Sequence, residues 1–120
     1  GGSIEDATGD PNNPIFDLNL AVERIAAAVE ESRKHSFMLT ARAENFLHGK
    51  RDLDDTIRRL QAFEKAGADV LYAPGLPDIA ALGGLMRAAR EVKDHGTFTY
   101  AKDALSSSEA EKYIFTPPKN

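Results

Sequence analysis

The sequence predicts a parallel α/β fold in which short strands alternate with amphipathic helices in the order β-α-β-α-β. Apolar residues recur at spacings of three and four over residues 18–29 and again over residues 53–63, as on one face of a helix. Short β-prone runs lie before, between and after these segments, at residues 1–6, 37–43 and 69–73. The middle run shows little alternation, which is typical of a strand covered on both faces. With 120 residues, the chain fits one domain with its own core.

The first strand is followed by a loop and then by the first helix. The loop, at residues 7–16, is rich in Gly, Asp and Asn and contains two prolines, which make a continuous helix there unfavourable. Asp17 is a predicted N-cap. Leu18, Val22, Ile25 and Val29 then form one apolar stripe of a helix that is expected to reach about residue 33.

The second helix follows the second strand. Asp52 lies near its predicted start, and Gly67 is placed to end it because glycine is favoured just beyond helix C-termini. Phe63 belongs to its apolar stripe and is assigned to the core. The Ala-Gly-Ala-Asp run at residues 66–69 is typical of a turn from a helix into a strand.

The remaining chain is predicted to be mainly helical. Asp78 is placed to cap a run that meets Gly83 and Gly84, and a new helix pattern follows to about residue 93. Met86 is assigned to the core. The β-prone residues 97–100 are compatible with either a strand or a connecting turn, and a further helix is expected to begin near residue 106. We therefore predict one domain over residues 1–120, with a βαβαβ core at 1–82, a helical segment at 83–113 and a tail at 114–120.

Composition narrows the functional class. The chain has 42% hydrophobic and 28% charged residues, as in ordinary globular domains, and a net charge of -4. An acidic chain without clustered Lys and Arg is not expected to bind nucleic acid. No apolar run approaches the length of a membrane span, so no membrane partner is expected. The chain contains no Cys, which excludes thiolate ligands and thiol nucleophiles and is compatible with the cytoplasm.

Polar side chains gather where the first two predicted strands end. Glu5 and Asp6 follow the first strand, and Arg42, Glu44 and Asn45 follow the second. The carboxyl ends of parallel strands open onto the active face of α/β enzymes. Carboxylates beside a guanidinium at such an edge suggest a site for a metal-bound, anionic substrate.

Structural interpretations compete with these functional ones. The carboxylates of residues 5 and 6 could simply accept backbone hydrogen bonds from the following loop, and Arg42 could be an ion-pair partner of Glu5 or Glu44. The three histidines, His35, His48 and His95, show no metal-ligand spacing and are expected to face solvent or cap helices. The adjacent Arg58 and Arg59 are interpreted as part of a solvated surface.

The same residues carry a resemblance to a known family. The chain reads SIEDATGDP at residues 3–11, LTARAENF at 39–46 and AGADVLYAPG at 66–75, then GLMRAARE at 84–91 and HGTF at 95–98. In combination these motifs resemble the isocitrate lyase/phosphoenolpyruvate mutase superfamily. The resemblance implies a partial (β/α)8 TIM barrel that is open rather than closed. About three parallel strands resemble the barrel's fourth to sixth, and the last two motifs resemble its C-terminal helix.

The resemblance also implies a chemistry. It suggests a Mg²⁺-dependent lyase or phosphonomutase that cleaves or forms a C–C or C–P bond in a 2-oxo acid or an enolate-forming carboxylate. Glu5 matches an acidic residue that helps to hold Mg²⁺, usually through water. Arg42 matches the arginine that grips the substrate anion, and Glu44 and Asn45 are assigned to substrate binding beside it. A homo-oligomer is also implied.

The chain departs from the family pattern, so the resemblance alone does not assign catalysis to it. It resembles a truncated member with an internal deletion between Leu82 and Gly83. The family's Mg²⁺-binding aspartates lie on earlier strands, and the loop at residues 7–14 has neither the Cys of the lyases nor the Lys of the mutases. No catalytic residue is therefore assigned. An enzyme completed by other segments, an inactive paralogue, and an assembly module that docks through open sheet edges all remain hypotheses.

Overall fold

The computed structural model describes residues 1–77 and the backbone of residues 97–98. Six elements lie along this part of the chain: β1 (Gly2–Glu5), α1 (Leu18–Ser32), β2 (Leu39–Arg42), α2 (Leu53–Lys65), β3 (Val70–Tyr72) and β4 (Thr97–Phe98). The strands form one sheet in the order β1-β2-β3-β4, and every neighbouring pair is parallel. The predicted parallel α/β fold and its β-α-β-α-β order are confirmed.

The fourth strand settles an alternative that the sequence left open. Thr97 and Phe98 pair in parallel with Val70 and Leu71 of β3, so they form a strand rather than a connecting turn or part of a helix. The helices predicted around Met86 and after residue 106, the position of His95 and the predicted tail lie outside the described residues. Within the described part of the chain, no helix is long and apolar enough to cross a membrane.

Both helices begin, and α2 ends, where local chemistry favours it. Asp17 accepts a hydrogen bond from the backbone N–H of Leu20 at 3.1 Å, and Asp52 accepts one from Asp55 at 2.9 Å. These bonds satisfy N–H groups that have no partner within the helix. Gly67 follows α2 with φ of +102°, a backbone conformation that residues with a Cβ rarely adopt. The predicted caps and the terminal glycine are confirmed.

One hydrophobic core lies between the two helices and one face of the sheet. Its fully buried members come from α1, β2, α2 and β3. They are Ala21, Ile25, Ala41, Ala43, Leu60, Phe63 and Leu71. Phe63 is 0% exposed, as predicted for a core residue. Because successive side chains of a strand point to opposite faces, the neighbours of Ala41 and Leu71 point away from the helices. That opposite face carries the candidate site.

Candidate functional site

Three polar side chains stand in register at the carboxyl ends of neighbouring strands. Glu5 is paired with Arg42 across β1 and β2, and Arg42 is paired with Tyr72 across β2 and β3. Paired residues of a sheet share a face, so all three lie on the face away from α1 and α2. The structure thus brings Glu5 and Arg42 together as the sequence predicted, and it adds Tyr72.

The Arg42 guanidinium is fixed from two sides. Its Nε and Nη2 lie 2.7 and 2.6 Å from Oε1 of Glu44, and its carbon lies 5.3 Å from the centre of the Tyr72 ring. Nη2 is also 3.8 Å from Oε2 of Glu5. The guanidinium retains 28% exposure, and the described residues offer no acceptor for Nη1. One edge of the guanidinium therefore remains available to an anion.

Glu44 is the buried partner in this pair. Its side chain is only 2% exposed, and its second oxygen lies 3.9 Å from Nε2 of His48. A buried carboxylate is stable only when it is paired and hydrogen-bonded, and Arg42 supplies both. Glu44 therefore orients Arg42. The predicted ion-pair interpretation of Arg42 is confirmed, and direct substrate contact by Glu44 stays a prediction.

Asp6 connects the end of β1 to the segment after β2. Its Oδ1 accepts the backbone N–H of Glu44 at 2.8 Å, and its Oδ2 accepts Nη1 of Arg59 at 3.1 Å. Burial raises the pKa of the Asp6 carboxyl, against the opposing effects of the Glu44 N–H and of Arg59. Asp6 thus accepts a backbone hydrogen bond, as one interpretation of the sequence predicted. The donor is Glu44, which follows the neighbouring strand β2, and not the loop after β1.

Arg59 corrects a prediction. The sequence predicts that Arg58 and Arg59 share a solvated surface, but only Arg58 is exposed, at 66% of its side chain. Arg59 is 9% exposed, because its guanidinium turns into the carboxyl end of the sheet and also donates to the carbonyl of Phe16 at 2.8 Å. The sequence could not separate the two, because two adjacent arginines carry no signal for which of them meets a buried acid.

Asn45 is held by the second helix. Its Nδ2 donates to Oδ2 of Asp55 at 2.8 Å, and Arg59 Nε donates to the same oxygen at 2.7 Å. Burial opposes ionisation of Asp55, but hydrogen bonds from Arg59, Arg58 and Asn45 outweigh it and hold its pKa at about 2. The Oδ1 atom of Asn45 is buried and has no partner among the described residues. Substrate binding by Asn45 stays a prediction.

The loop after β1 is folded back beside these residues. Ala7 and Ile15 form an antiparallel bridge, and Phe16 donates its N–H to the Asp6 carbonyl at 2.8 Å. Arg24 of α1 donates to the Glu5 carbonyl at 2.7 Å and lies 4.4 Å from the centre of the Phe16 ring. The predicted absence of a continuous helix in this loop is confirmed, and the loop fixes the backbone that carries Glu5.

A complete Mg²⁺ site does not fit the described residues. None of their His, Asp and Glu side chains form a group of three that could hold a metal ion. Asp6 is paired with Arg59, and Glu44 is paired with Arg42. Glu5 is 50% exposed and presents carboxylate oxygens of the kind that Mg²⁺ prefers. It fits as one ligand, and the others would have to come from elsewhere.

Comparison with known proteins places this geometry in a family. The family described as phosphoenolpyruvate phosphomutase matches residues 1–109, which include the strand-end cluster of Glu5, Arg42, Glu44 and Tyr72. The chain belongs to this family. A curated relative, the "Probable 2-methylisocitrate lyase 2" of Corynebacterium glutamicum, is 38% identical over 62 residues, which are 52% of this chain and 20% of the relative.

Solved structures agree with the assignment. A "putative lyase/mutase" from Burkholderia cenocepacia is 52% identical, with a TM-score of 0.73, over 81% of this chain and 34% of that one. The 2,3-dimethylmalate lyase, a PEP mutase/isocitrate lyase superfamily member, is 21% identical with a TM-score of 0.70, over 94% of this chain and 40% of that one. Phosphonopyruvate hydrolase, solved with oxalate and Mg²⁺, is 19% identical with a TM-score of 0.72, over 93% of this chain and 41% of that one. At their identities the last two show the shared fold only.

These findings confirm the superfamily and the partial, open barrel. The chain spans about a fifth of the curated relative and about a third of the first structure, so the activity of the whole relatives does not transfer to it directly. The predicted site residues Glu5, Arg42, Glu44 and Asn45 all lie at the carboxyl end of the sheet. Sequence reasoning missed Tyr72, although its place directly after the buried Leu71, at the end of a strand, was a usable signal.

Proposed function

We propose that the strand-end cluster binds the carboxylate of a 2-oxo acid or dicarboxylate, as part of a Mg²⁺-dependent lyase or phosphonomutase of this family. The carrying observation is the Arg42 guanidinium, which Glu44 and Tyr72 fix while one edge stays open. A planar guanidinium with a fixed orientation suits a carboxylate, because it can donate two parallel hydrogen bonds. The relatives named as lyases and a phosphonopyruvate hydrolase support this class of substrate.

Charge balance supports the metal dependence. Glu5 and Glu44 both lie within 4 Å of Arg42, so two carboxylates face one guanidinium and the cluster carries one net negative charge. A further anion is repelled by that excess unless a cation joins it. We infer that Glu5 supplies one oxygen ligand to Mg²⁺, and that segments beyond the described residues supply the rest.

The described residues support binding and orientation in this reaction class. Mg²⁺, when bound, would neutralise charge that develops on the oxo group of the substrate. Arg42 would hold the substrate anion at the carboxyl ends of the strands, Tyr72 would keep the guanidinium in place, and Asn45, bound to Asp55, would hold the segment that carries Glu44. No described side chain has the position of a catalytic acid or base. A cytoplasmic location and a homo-oligomer complete the proposal.

Oxalate is the appropriate probe because it mimics a planar enolate-like dianion. Calorimetric titration of the full chain, with and without Mg²⁺, should show binding with Mg²⁺ and little without it. Arg42→Ala should weaken binding strongly but leave it measurable at higher oxalate concentration, because Mg²⁺ still attracts the dianion. Glu5→Gln should weaken binding in Mg²⁺ and strengthen it in metal-free buffer, because one negative charge is removed.

The same titration separates the alternatives. Absence of binding by the wild-type chain under both conditions would contradict the proposal for this chain and would favour an inactive paralogue. Arg33→Ala is the matched control, because Arg33 is exposed and pairs with Asp69 at the opposite edge of the sheet, away from the carboxyl ends of the strands. It should bind as wild type does.

A further inference from the structure

Arg59 and Arg58 are neighbours in sequence with different surroundings. Arg58 is exposed and pairs only with Asp55 among the described residues. The Arg59 guanidinium is 9% exposed and meets three acceptors: Oδ2 of Asp55 at 2.7 Å, Oδ2 of Asp6 at 3.1 Å and the Phe16 carbonyl at 2.8 Å. Arg59 therefore connects α2, the end of β1 and the loop that follows β1.

The first route from Arg59 to the site passes through Asp6. The oxygen of Asp6 that Arg59 does not contact accepts the backbone N–H of Glu44 at 2.8 Å. Asp6 also donates its own N–H to the carbonyl of Arg42 at 3.2 Å. A carboxylate that is 1% exposed can keep its charge here only with a cation beside it, and Arg59 is that cation.

The second route passes through Asp55. Its Oδ2 atom accepts from both Arg59 Nε and Asn45 Nδ2, at 2.7 and 2.8 Å. Glu44 and Asn45 are consecutive, so Arg59 anchors the segment after β2 at two points through two different carboxylates.

The anchored segment in turn fixes the guanidinium of Arg42. Glu44 Oε1 accepts a hydrogen bond from Nε of Arg42 and forms an ion pair with its Nη2, so a shift of Glu44 would rotate the plane of that guanidinium. We infer that Arg59 is a positioning residue for substrate binding: through Asp6 and Asp55 it holds Glu44 and Asn45, and through Glu44 it orients Arg42. The inference rests on the proposed role of Arg42 in binding an anion.

Oxalate titrations in Mg²⁺ test it through a double-mutant cycle. Arg59→Met should weaken binding about tenfold, within the range measured for coupled residues. Arg58→Met, the matched control, should change binding less than twofold. In the Arg42→Ala background, Arg59→Met should have no further effect, because there is no guanidinium left to orient. Equal losses in both backgrounds, or full binding by folded Arg59→Met, would overturn the inference.

Hydrogen exchange provides a readout that does not depend on ligand. The Glu44 amide bonds to Asp6, whereas the Ala43 amide bonds to the carbonyl of Tyr72 in the sheet. Arg59→Met should speed exchange at Glu44 relative to Ala43, and Arg58→Met should not. If Arg59→Met does not fold, Arg59→Gln replaces it, because a glutamine is polar but carries no charge to hold the Asp6 carboxylate.

The two readouts separate failure of the inference from failure of the proposed function. Wild-type chain that binds no oxalate would contradict the proposed function, and the Glu44 exchange would still test the anchoring. An unchanged ratio of Glu44 to Ala43 exchange in both Arg59 variants would overturn the positioning role even if oxalate binds to the wild type.

Discussion

Replacement of Asp55 by Asn should destabilise the fold in a pH-dependent way. Its pKa lies at about 2 in the folded chain, against 3.8 for a free aspartate. At about 1.4 kcal/mol per pKa unit, the ionised carboxylate contributes about 2–3 kcal/mol to the free energy of unfolding. Because the folded pKa is the lower one, this stabilisation is complete above about pH 4 and is lost as the pH falls towards 2.

Urea denaturation of wild type and Asp55→Asn, monitored by circular dichroism from pH 7 to pH 2.5, measures this difference. We expect the two free energies of unfolding to differ by about 2–3 kcal/mol at neutral pH, and this gap to narrow steadily below pH 4. Asp54→Asn is the control: Asp54 is exposed in the same helical turn, and no ion pair involves it among the described residues. A gap that stays constant down to pH 2.5, or one of equal size in Asp54→Asn, would refute the ion-pair reasoning.

Three further substitutions test the core, a turn and the site. Phe63→Ala should lower the free energy of unfolding, measured in urea, by about 3–5 kcal/mol, because the ring is 0% exposed. Leu20 is 40% exposed, so Leu20→Ala should lower it far less. Similar losses in the two variants would contradict the described core. Gly67→Ala should destabilise the fold more than Gly49→Ala does. Both glycines have positive φ, but only at Gly67 would an added Cβ meet a side chain, the Val29 methyl group of α1 at 2.9 Å. Equal losses of stability would refute this clash. Tyr72→Ala should weaken oxalate binding roughly two- to fivefold, because the ring lies over the Arg42 guanidinium. Tyr72→Phe keeps the ring and should bind oxalate as wild type does. Weaker binding by both variants would indicate that the hydroxyl group is needed instead.

Local chemistry explains why much of the fold was predictable. Asp17 and Asp52 are short acceptors placed just before apolar periodic runs, and Gly67 supplies a positive φ after one. These signals depend on a few adjacent residues. The strand at Thr97 and Phe98 could not be decided in the same way, because it pairs with β3 across more than twenty residues of chain.

The site was predictable where strand register alone determines it. Glu5 and Arg42 each end a strand, and parallel pairing brings such positions to one edge. The supporting residues were not predictable, because their roles depend on how α2 lies against the sheet. Only the fold shows that Arg59 meets Asp6, 53 residues away, while Arg58 faces solvent.

Side-chain nuclear magnetic resonance of the arginine Nε–H groups tests the central claim most directly. Oxalate is titrated in Mg²⁺ into ¹⁵N-labelled chain, and the Arg42 signal is assigned by its absence in Arg42→Lys. We predict a saturable shift of the Arg42 signal, while the exposed Arg33 and Arg58 stay unchanged. Saturable binding that leaves Arg42 unshifted would contradict the assignment of the strand-end guanidinium as the anion-binding group.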